Sequence, residues 1–428
     1  MKCKVPEYHS LREQIARIPV IDTHEHLPNE DERLRQHVDF FTLFSHYAVD
    51  DMVAAGATPD EVEKLNSDLS VEEKWKIFEP YYRHTMDGSY ARCAHLAMKK
   101  FYDMDCLTSL KDAEVLSEKV RSANEPGLYR RVLKEACNIV TGINHCGMTV
   151  DREFFTPVRF VTEFARVSSM DIVCFVEKET GRSATSLERY VQALSDILAA
   201  DKKKGLKGIK FSFAYHRKLD FESTSAADAE RIFSRISDET IWRPSTLGYE
   251  KTKPLQDYLT HRLIEIAGDL DLTVVFHTGI QAMNNNNLEN CRPGPLWNVL
   301  NRFRNVRFDI FHIGLPWYAE AGMLAKYFSH VYVNFAWAHM ISPEISVRAL
   351  KTYVDMVPRN KVLGFGGDYA IVEPVYGHLE VARDDIARSL AEMMEDGVLD
   401  EDRAISWAKA ILHDNPIKLY KLDIECLD

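Results

Sequence analysis

Two histidines one residue apart, His24 and His26, stand at the end of an apolar run that begins at Ile18. Side chains alternate between the two faces of a β-strand, so residues i and i+2 point to the same side. Two imidazoles that converge in this way suit a divalent metal ion such as zinc. The pair alone is weak evidence, because about 0.6 such pairs are expected by chance among 16 histidines in 428 residues. Glu25 would point to the opposite face and is not counted as a ligand.

More residues that can bind a metal or move a proton follow later apolar runs. They are His277 after Val274–Phe276, His312 after Phe308–Phe311, and Asp368 after Gly366 and Gly367. A single histidine at the end of a strand is more often a packed core residue than a ligand. Five metal-competent residues at the ends of four predicted strands form a pattern that core packing alone does not explain.

The elements that must position these residues are eight short apolar runs. They cover residues 18–23, 138–143, 158–164, 206–214, 272–276, 306–311, 330–335 and 361–365, with helical patterns between most of them. Alternation of strand and helix predicts a parallel α/β sheet. Eight such units fit a (β/α)₈ TIM barrel, in which the carboxyl ends of all strands meet at one face. A doubly wound sheet is the alternative, and it would bind ligands at a topological switch point.

A long segment with helical character separates the first two runs. One helix is expected over Val38–Ala55, a capping box at Ser70–Glu73 opens a second, and further helices are expected over Tyr90–Tyr102 and Leu128–Cys137. The segment is too long for a βα loop. We therefore expect residues 1–26 and 137–428 to form the catalytic barrel, and residues 27–136 to form a helical insertion that acts as a lid.

Composition narrows the class of protein. A net charge of −12 disfavours nucleic acid as a partner, since binding it calls for a basic surface. The sequence has no run of 18 apolar residues, so no membrane partner is expected. Eight scattered cysteines without a CxxC motif, and an amino terminus without an apolar signal segment, indicate free thiols in the cytoplasm. A small-molecule substrate is the expected partner, and a homo-oligomer is an open alternative.

Several of these motifs resemble the amidohydrolase superfamily, and in particular its amidohydrolase-2 branch, which is related to uronate isomerases and to metal-dependent decarboxylases. The motifs that carry the resemblance are Ile21–His26, Phe276–Gly279, Phe311–Gly314, Gly366–Tyr369 and Asp414–Tyr420. Uronate isomerase-like members also carry a large helical insertion after the first strand. The motifs are specific for the superfamily and weak for the substrate.

The resemblance implies a role for each strand-end residue. The ligands of one divalent ion, with zinc expected and manganese as the alternative, would be His24, His26, His277 and Asp368. Such an ion lowers the pKa of its bound water and polarises a substrate oxygen. The implied catalytic residues are Asp368, which can accept the proton of that water, and His312, which can hydrogen-bond a developing oxyanion.

Lys210 has two interpretations. Members of the superfamily with two metal ions use a carboxylated lysine on the fourth strand as a bridge, together with the histidine of the sixth strand. By resemblance, Lys210 and His312 would take those parts. However, Lys210 lies several residues before the end of its predicted strand. The alternative is a buried lysine paired with a carboxylate, and one ion is favoured over two.

The expected substrate contacts lie at the mouth of the barrel. Tyr215, His216 and Arg217 follow the fourth run and resemble an Ala-Tyr-Arg motif of some family members, with His216 inserted. The Arg217 guanidinium would clamp a carboxylate, and the alternative is an ordinary surface arginine. Trp317 would form an apolar wall, and its alternative is a place in the core.

Three functions are consistent with this reading. The first is a metal-dependent hydrolase of a small carboxylated lactone, ester or amide, working with a metal-activated water. The second is a non-hydrolytic enzyme on the same scaffold, either a uronate isomerase or a metal-dependent decarboxylase. The third is a barrel that binds a ligand without catalysis, and the intact set of implied ligands argues against it.

Overall fold

The computed structural model describes residues 7–242 and 247–427 and contains one sheet of eight parallel strands in sequence order. The strands are β1 (Val20–Glu25), β2 (Ile139–Asn144), β3 (Phe155–Phe160), β4 (Gly208–Phe211), β5 (Thr273–Phe276), β6 (Phe308–Ile310), β7 (Val331–Asn334) and β8 (Val362–Leu363). The Thr23 amide donates to the Phe365 carbonyl at 3.1 Å and joins the first strand to the chain beyond the last. The predicted (β/α)₈ TIM barrel is confirmed.

Helices make up most of the rest of the chain. They are α1 (Tyr8–Ala16), α2 (Glu30–Leu34), α3 (Ala48–Ala54), α4 (Pro59–Leu65), α5 (Val71–Thr85), α6 (Ser89–Tyr102), α7 (Leu110–Ala123), α8 (Thr162–Ala165), α9 (Met170–Thr180), α10 (Leu187–Lys203), α11 (Ala226–Trp242), α12 (Tyr249–Asp269), α13 (Trp297–Arg302), α14 (Tyr318–Tyr327), α15 (Ala338–Ile341), α16 (Pro343–Met356), α17 (Glu373–Glu395), α18 (Glu401–Lys409) and α19 (Asn415–Tyr420). In the described part of the chain, no helix is long and apolar enough to span a lipid bilayer.

The inside of the barrel is filled by side chains, as in other folds of this class. An apolar layer there is formed by Ile143, Val158, Val275, Phe311, Leu363, Leu419 and Tyr420. The interior also holds a chain of buried hydrogen bonds, in which Asp309 accepts from Tyr420 at 2.7 Å and from Asn334 at 2.9 Å, while Thr23 donates to Asn334 at 3.0 Å. The carboxy-terminal α19 thereby fixes the end of the barrel opposite the strand exits.

The segment between β1 and β2 is helical, with α2–α7 and its own apolar cluster around Phe40, Phe78 and Leu116. The capping box at Ser70 opens α5 as predicted. The prediction of one helix over Val38–Ala55 is wrong. Asp39 caps a 3₁₀ turn at Phe40–Leu43, which directs consecutive aromatic rings inward, and an α-helix forms only from Ala48.

The insertion is fastened to the barrel at α17. Arg33 forms a buried ion pair with Glu373 at 2.9 Å, and the Tyr102 hydroxyl donates to the same carboxylate at 3.1 Å. Gly377 lets α6 approach closely, because a Cβ at that position would collide with the Cys93 carbonyl. These contacts hold the insertion on the side of the barrel where the strands end.

Candidate metal centre

The two histidines of β1 meet the aspartate that follows β8. The Nε2 atoms of His24 and His26 lie 3.1 Å and 3.3 Å from the same Oδ1 of Asp368. The Asp368 backbone has a positive φ of 59°, a conformation that aspartate tolerates better than most residues. Its amide donates to the His24 carbonyl at 2.7 Å, which fixes the β8 turn beside β1. The side chains converge as the strand alternation predicted.

The protonation states of this group favour binding of a cation. Burial alone would raise the pKa of Asp368, but the His24 and His26 rings, which donate hydrogen bonds to it, hold that pKa well below its ordinary value. Burial lowers the pKa of His24 well below its own ordinary value. At neutral pH the carboxylate is therefore ionised and the His24 ring is neutral, the forms in which both groups bind metal ions.

Glu25 is buried on the other side of the strand and supports the β8 turn. Its Oε2 accepts from the Tyr369 amide at 2.9 Å, while Asp22 Oδ1 accepts from the Gly367 amide at 3.0 Å. Burial and the neighbouring Asp22 carboxylate raise the pKa of Glu25 well above its ordinary value. A Cβ at Gly367 would collide with Glu25, so this turn requires a glycine. Glu25 thus holds the turn that carries Asp368.

His277 and His312 form a second pair, with an unusual arrangement of nitrogens. The outer nitrogens, His277 Nε2 and His312 Nδ1, lie 2.9 Å and 2.8 Å from the carbonyls of Ile280 and Ala336. Carbonyls only accept, so each neutral ring must place its single N–H there. Burial lowers the pKa of both rings, that of His312 to about 4. The inner nitrogens then face each other with two lone pairs across 3.0 Å.

Two facing lone pairs repel each other unless a proton or a cation lies beside them. His24, His312 and Asp368 each place one ligand atom within 4.8 Å of the others. A set of two imidazole nitrogens and a carboxylate oxygen suits a borderline divalent ion. The residues present therefore fit a metal ion. The geometry groups His312 with His24 and Asp368, while His277 touches this group through His312.

Lys210 projects into the same cavity from β4. Its ammonium lies 3.6 Å from the centre of the Phe311 ring, and within the described residues Nζ has no hydrogen-bond partner. The expected alternative, a pair with a carboxylate, is not seen among those residues. Burial lowers the pKa of Lys210 to about 7, against the attraction of Asp368 and Asp309. Lys210 is thus a buried amine that takes up a proton near neutral pH and has no hydrogen-bonded counter-ion among the described residues.

These side chains line a cavity of about 520 Å³ at the mouth of the barrel. Its lining residues are His24, His26, His46, Tyr47, Phe160, Lys210, Ser212, Tyr215, His216, His277, Ala282, Met283 and Asp368. The Tyr215 ring stands 4.8 Å from His277, and its hydroxyl accepts from the Ala282 amide at 3.1 Å. The structure therefore brings together most of the residues expected from the sequence.

Arg217 and Trp317 are not brought to this cavity. The Arg217 guanidinium is buried and forms an ion pair with Asp257 at 2.7 Å. The reason is a 3₁₀ turn at Phe213–Tyr215, after which Tyr215 faces the cavity and Arg217 faces α12. Trp317 is half-buried against the main apolar core. The expected carboxylate clamp and the expected apolar wall are thus replaced by structural contacts.

Sequence reasoning missed three residues of this region. His145 follows β2, its ring centre lies 4.3 Å from that of His24, and both of its nitrogens lack a partner in the described residues. Its position at a strand end was the available signal. His46 and Tyr47 belong to the insertion, and the Tyr47 hydroxyl is hydrogen-bonded to Asp368. Nothing in the local sequence of the insertion marks these two residues.

The amidohydrolase family model matches residues 21–422, so the chain belongs to that family. Among individual relatives, protein fluG of Emericella nidulans is 26% identical over 248 residues. That match covers 56% of this chain but only 28% of fluG, so the chain spans less than a third of that relative.

Solved structures with the same fold include two sugar-acid isomerases. The uronate isomerase of Thermotoga maritima gives a TM-score of 0.80 at 14% identity and covers 98% of each chain. The glucuronate isomerase of Caulobacter crescentus gives 0.76 at 16% identity, over 99% of this chain and 97% of its own. At these identities the likeness shows the fold, and it extends over the helical insertion as well as the barrel.

Proposed function

We propose that the protein is a metal-dependent hydrolase of a small carboxylated substrate, a lactone, an ester or an amide. The observation that carries the proposal is Asp368, an ionised and buried carboxylate in contact with His24 and His26. Such a carboxylate at the carboxyl ends of barrel strands has the position of a catalytic group in this fold. The expected resident ion is zinc, with manganese as the alternative.

One bound ion would be held by His24, His26 and Asp368, with His312 or His277 completing the set. When bound, it supplies Lewis acidity, which lowers the pKa of a coordinated water and polarises a carbonyl. The facing lone pairs of His277 and His312 support this placement. One ion is favoured over two, because the described residues contain one group of three ligand atoms, from His24, His312 and Asp368. The strand position of Lys210 does not decide the number of ions, since β4 ends at Phe211, one residue further on.

The protein's own side chains have the remaining catalytic roles. The His24 and His26 rings contact Asp368 through Oδ1, which leaves Oδ2, 3.8 Å from His312 Nδ1, as the oxygen that would accept the proton of the attacking water. Tyr47 holds the same carboxylate by a hydrogen bond and fixes its orientation. The buried rings of His277 and His312 exclude bulk water. Their N–H groups point to the Ile280 and Ala336 carbonyls, so in this arrangement their inner nitrogens face a cation rather than an oxyanion.

Lys210 is the candidate for binding the substrate carboxylate. As far as the described residues go, the cavity lining contains no arginine, so the lysine is its cation. The alternative role for Lys210 is that of a carboxylated lysine that bridges two metal ions. The two roles therefore predict different numbers of bound ions per chain. A metal content near one per chain supports carboxylate binding by Lys210, whereas a content near two supports the bridge.

A second candidate function is isomerisation of a uronic acid. The specific observation in its favour is the match to uronate isomerases over the insertion and the barrel together. Tyr47, which comes from the insertion, touches Asp368 and thus joins the two parts at one point. An isomerase would use these groups to move a proton between adjacent carbons.

The test is an activity screen on metal-loaded protein with three panels: lactones, esters and amides of small carboxylic acids; hexuronates; and aromatic acids. Turnover in the first panel alone, lost in Asp368→Asn and kept in the surface variant His9→Ala, is the expected result. Turnover confined to hexuronates would replace the hydrolase by the isomerase. No turnover in any panel, despite a bound ion, would favour a barrel that only binds its ligand.

A further inference from the structure

A second cavity opens directly beside the first one. It has a volume of about 330 Å³ and is lined by Arg159, Phe160, Thr162, Glu163, Phe164, Phe175 and Ser212. Phe160 and Ser212 line both cavities. The two spaces therefore meet at these residues, at the exits of β3 and β4.

Phe160 connects the second cavity to the candidate metal centre. Its ring lies nearly parallel to the His26 ring, at 18° and with 5.8 Å between ring centres. The side chain is nevertheless 38% exposed, so a large part of the ring is open to a ligand. A ligand that reaches His26 in the first cavity would therefore pass along the Phe160 ring.

The far wall of the second cavity is also aromatic. Phe164 and Phe175 lie nearly parallel, at 28° and with ring centres 6.3 Å apart, and Phe175 is 46% exposed. Phe164 itself is buried, at 5% exposed, and the Arg159 guanidinium lies 5.3 Å from its ring centre, so the open rings are those of Phe160 and Phe175. Exposed apolar groups that line one cavity are typical of binding sites. Phe160, Phe164 and Phe175 form an aromatic wall that begins beside His26, and we call it the aromatic extension.

The polar groups around the aromatic extension are paired with each other. Ser212 donates through its amide to Thr162 Oγ1 at 2.7 Å, and the two hydroxyls lie 3.0 Å apart. Arg159 forms ion pairs with Asp201 and Glu179. The extension therefore offers a ligand flat apolar faces, whereas the first cavity offers Lys210 and the imidazoles.

We propose that the substrate has two parts: a carboxylated head bound in the first cavity, and a flat, apolar aryl extension that lies along the exposed rings of Phe160 and Phe175. This inference rests on the proposed function, because the head is the part that reacts. Each cavity alone is at or above the lower limit for a ligand site. A substrate of only a few carbons would fill the first cavity and leave the aromatic extension in contact with solvent.

The experiment compares probes that share a head and differ in the extension. Binding of propionate and of ω-phenylalkanoates with two, three or four methylene groups is measured by calorimetry on the metal-loaded full chain. We expect the best phenyl probe to bind at least about tenfold more tightly than propionate. Phe175→Ala should weaken that probe about fivefold and leave propionate unchanged, and Phe175→Trp should restore the affinity.

The matched control is Tyr327→Ala, which removes a ring that is 70% exposed on α14, away from both cavities. Equal binding of all probes, or equal effects of Phe175→Ala and Tyr327→Ala, would overturn the aromatic extension. The proposed function has a separate readout, because propionate binding should depend on Lys210, the group that it assigns to the substrate carboxylate. If that dependence holds while the phenyl group adds nothing, the extension alone is wrong.

Discussion

Lys210 on β4 and Arg217, seven residues later, are both buried basic side chains, but their surroundings differ. Arg217 is paired with Asp257 at 2.7 Å, donates to the Asp220 carbonyl at 2.8 Å, and lies 4.8 Å from the Phe221 ring centre. Lys210 has the face of Phe311 3.6 Å away and, in the described structure, no hydrogen-bond partner. A buried cation whose neighbours neutralise it serves the fold, whereas one left without a counter-charge beside a cavity can serve a ligand.

The carboxylates show the same contrast. Asp257 is held by two cations, Arg217 and Lys253, with the latter at 2.6 Å. Asp368 is contacted by the His24 imidazole, whose pKa burial lowers so that the ring is neutral, and it retains its negative charge. Asp257 therefore belongs to a neutralised structural cluster, while Asp368 remains an attractive partner for a cation. The predictions below test this difference, from the largest expected effect to the smallest.

Asp368→Asn should reduce kcat/KM by about three orders of magnitude, because the amide can neither accept the proton nor hold the ion as an anion. Metal content should fall with it, while the unfolding transition stays cooperative. Asp257→Asn is the paired control, and it should lower stability and leave kcat/KM per folded molecule unchanged. If the two variants lose the same property, the contrast between the carboxylates does not hold.

Arg217→Met should lower the free energy of unfolding by about 3 kcal/mol, at the low end for a broken buried pair, because Asp257 keeps Lys253 as a partner. Urea denaturation measures the loss, and kcat/KM of the folded fraction should remain at the wild-type value. The control is Arg292→Met, since Arg292 pairs with Glu320 at the surface and its loss should change the free energy of unfolding far less. A large loss of activity in folded Arg217→Met would contradict this structural role and indicate that Arg217 contacts the substrate.

Lys210→Met should have the opposite profile to Arg217→Met. Its free energy of unfolding should not fall, because the variant removes a desolvated cation that lies against an aromatic face and has no hydrogen-bond partner among the described residues. The kcat/KM for a carboxylated substrate should fall about a hundredfold, mostly through KM, because the charge that binds the carboxylate is lost. A marked fall in stability with unchanged KM would show that Lys210 serves the fold.

Asp271→Asn replaces a carboxylate at the surface, and it should have the smallest effect on stability among these variants. Burial would raise the pKa of Asp271, but hydrogen bonds from Lys421 and Arg307 lower it to about 2. A depressed pKa stabilises the fold above the ordinary carboxyl pKa near 4, and this contribution is lost as the pH falls towards 2. The side chain is half exposed, so the difference from wild type should be roughly 0.5 kcal/mol. Denaturation between pH 2 and pH 6 measures it, and a constant difference across that range would contradict the assignment.

The sequence predicted the barrel and the residues at its strand ends well, because both depend on local patterns. Each of the eight apolar runs overlaps a strand, and the alternation of side chains places His24 and His26 on one side. The same reasoning could have identified His145, since it also follows a strand directly.

The features that the sequence did not predict depend on tertiary structure or on short irregular turns. The 3₁₀ turn at Phe213–Tyr215 decides that Arg217 leaves the cavity, and no pattern in the surrounding residues indicates it. Tyr47 reaches Asp368 only because the insertion docks on α17 through Arg33 and Gly377. The function of the insertion as a lid remains a prediction.

The most direct test of the central claim is the metal content of purified, zinc-loaded protein and of His24→Ala, measured together with kcat/KM. We expect about one ion per chain in the wild type and almost none in the variant, with activity abolished and the cooperative unfolding transition retained. The surface variant His9→Ala should match the wild type. Full metal occupancy and normal turnover in His24→Ala would contradict the account.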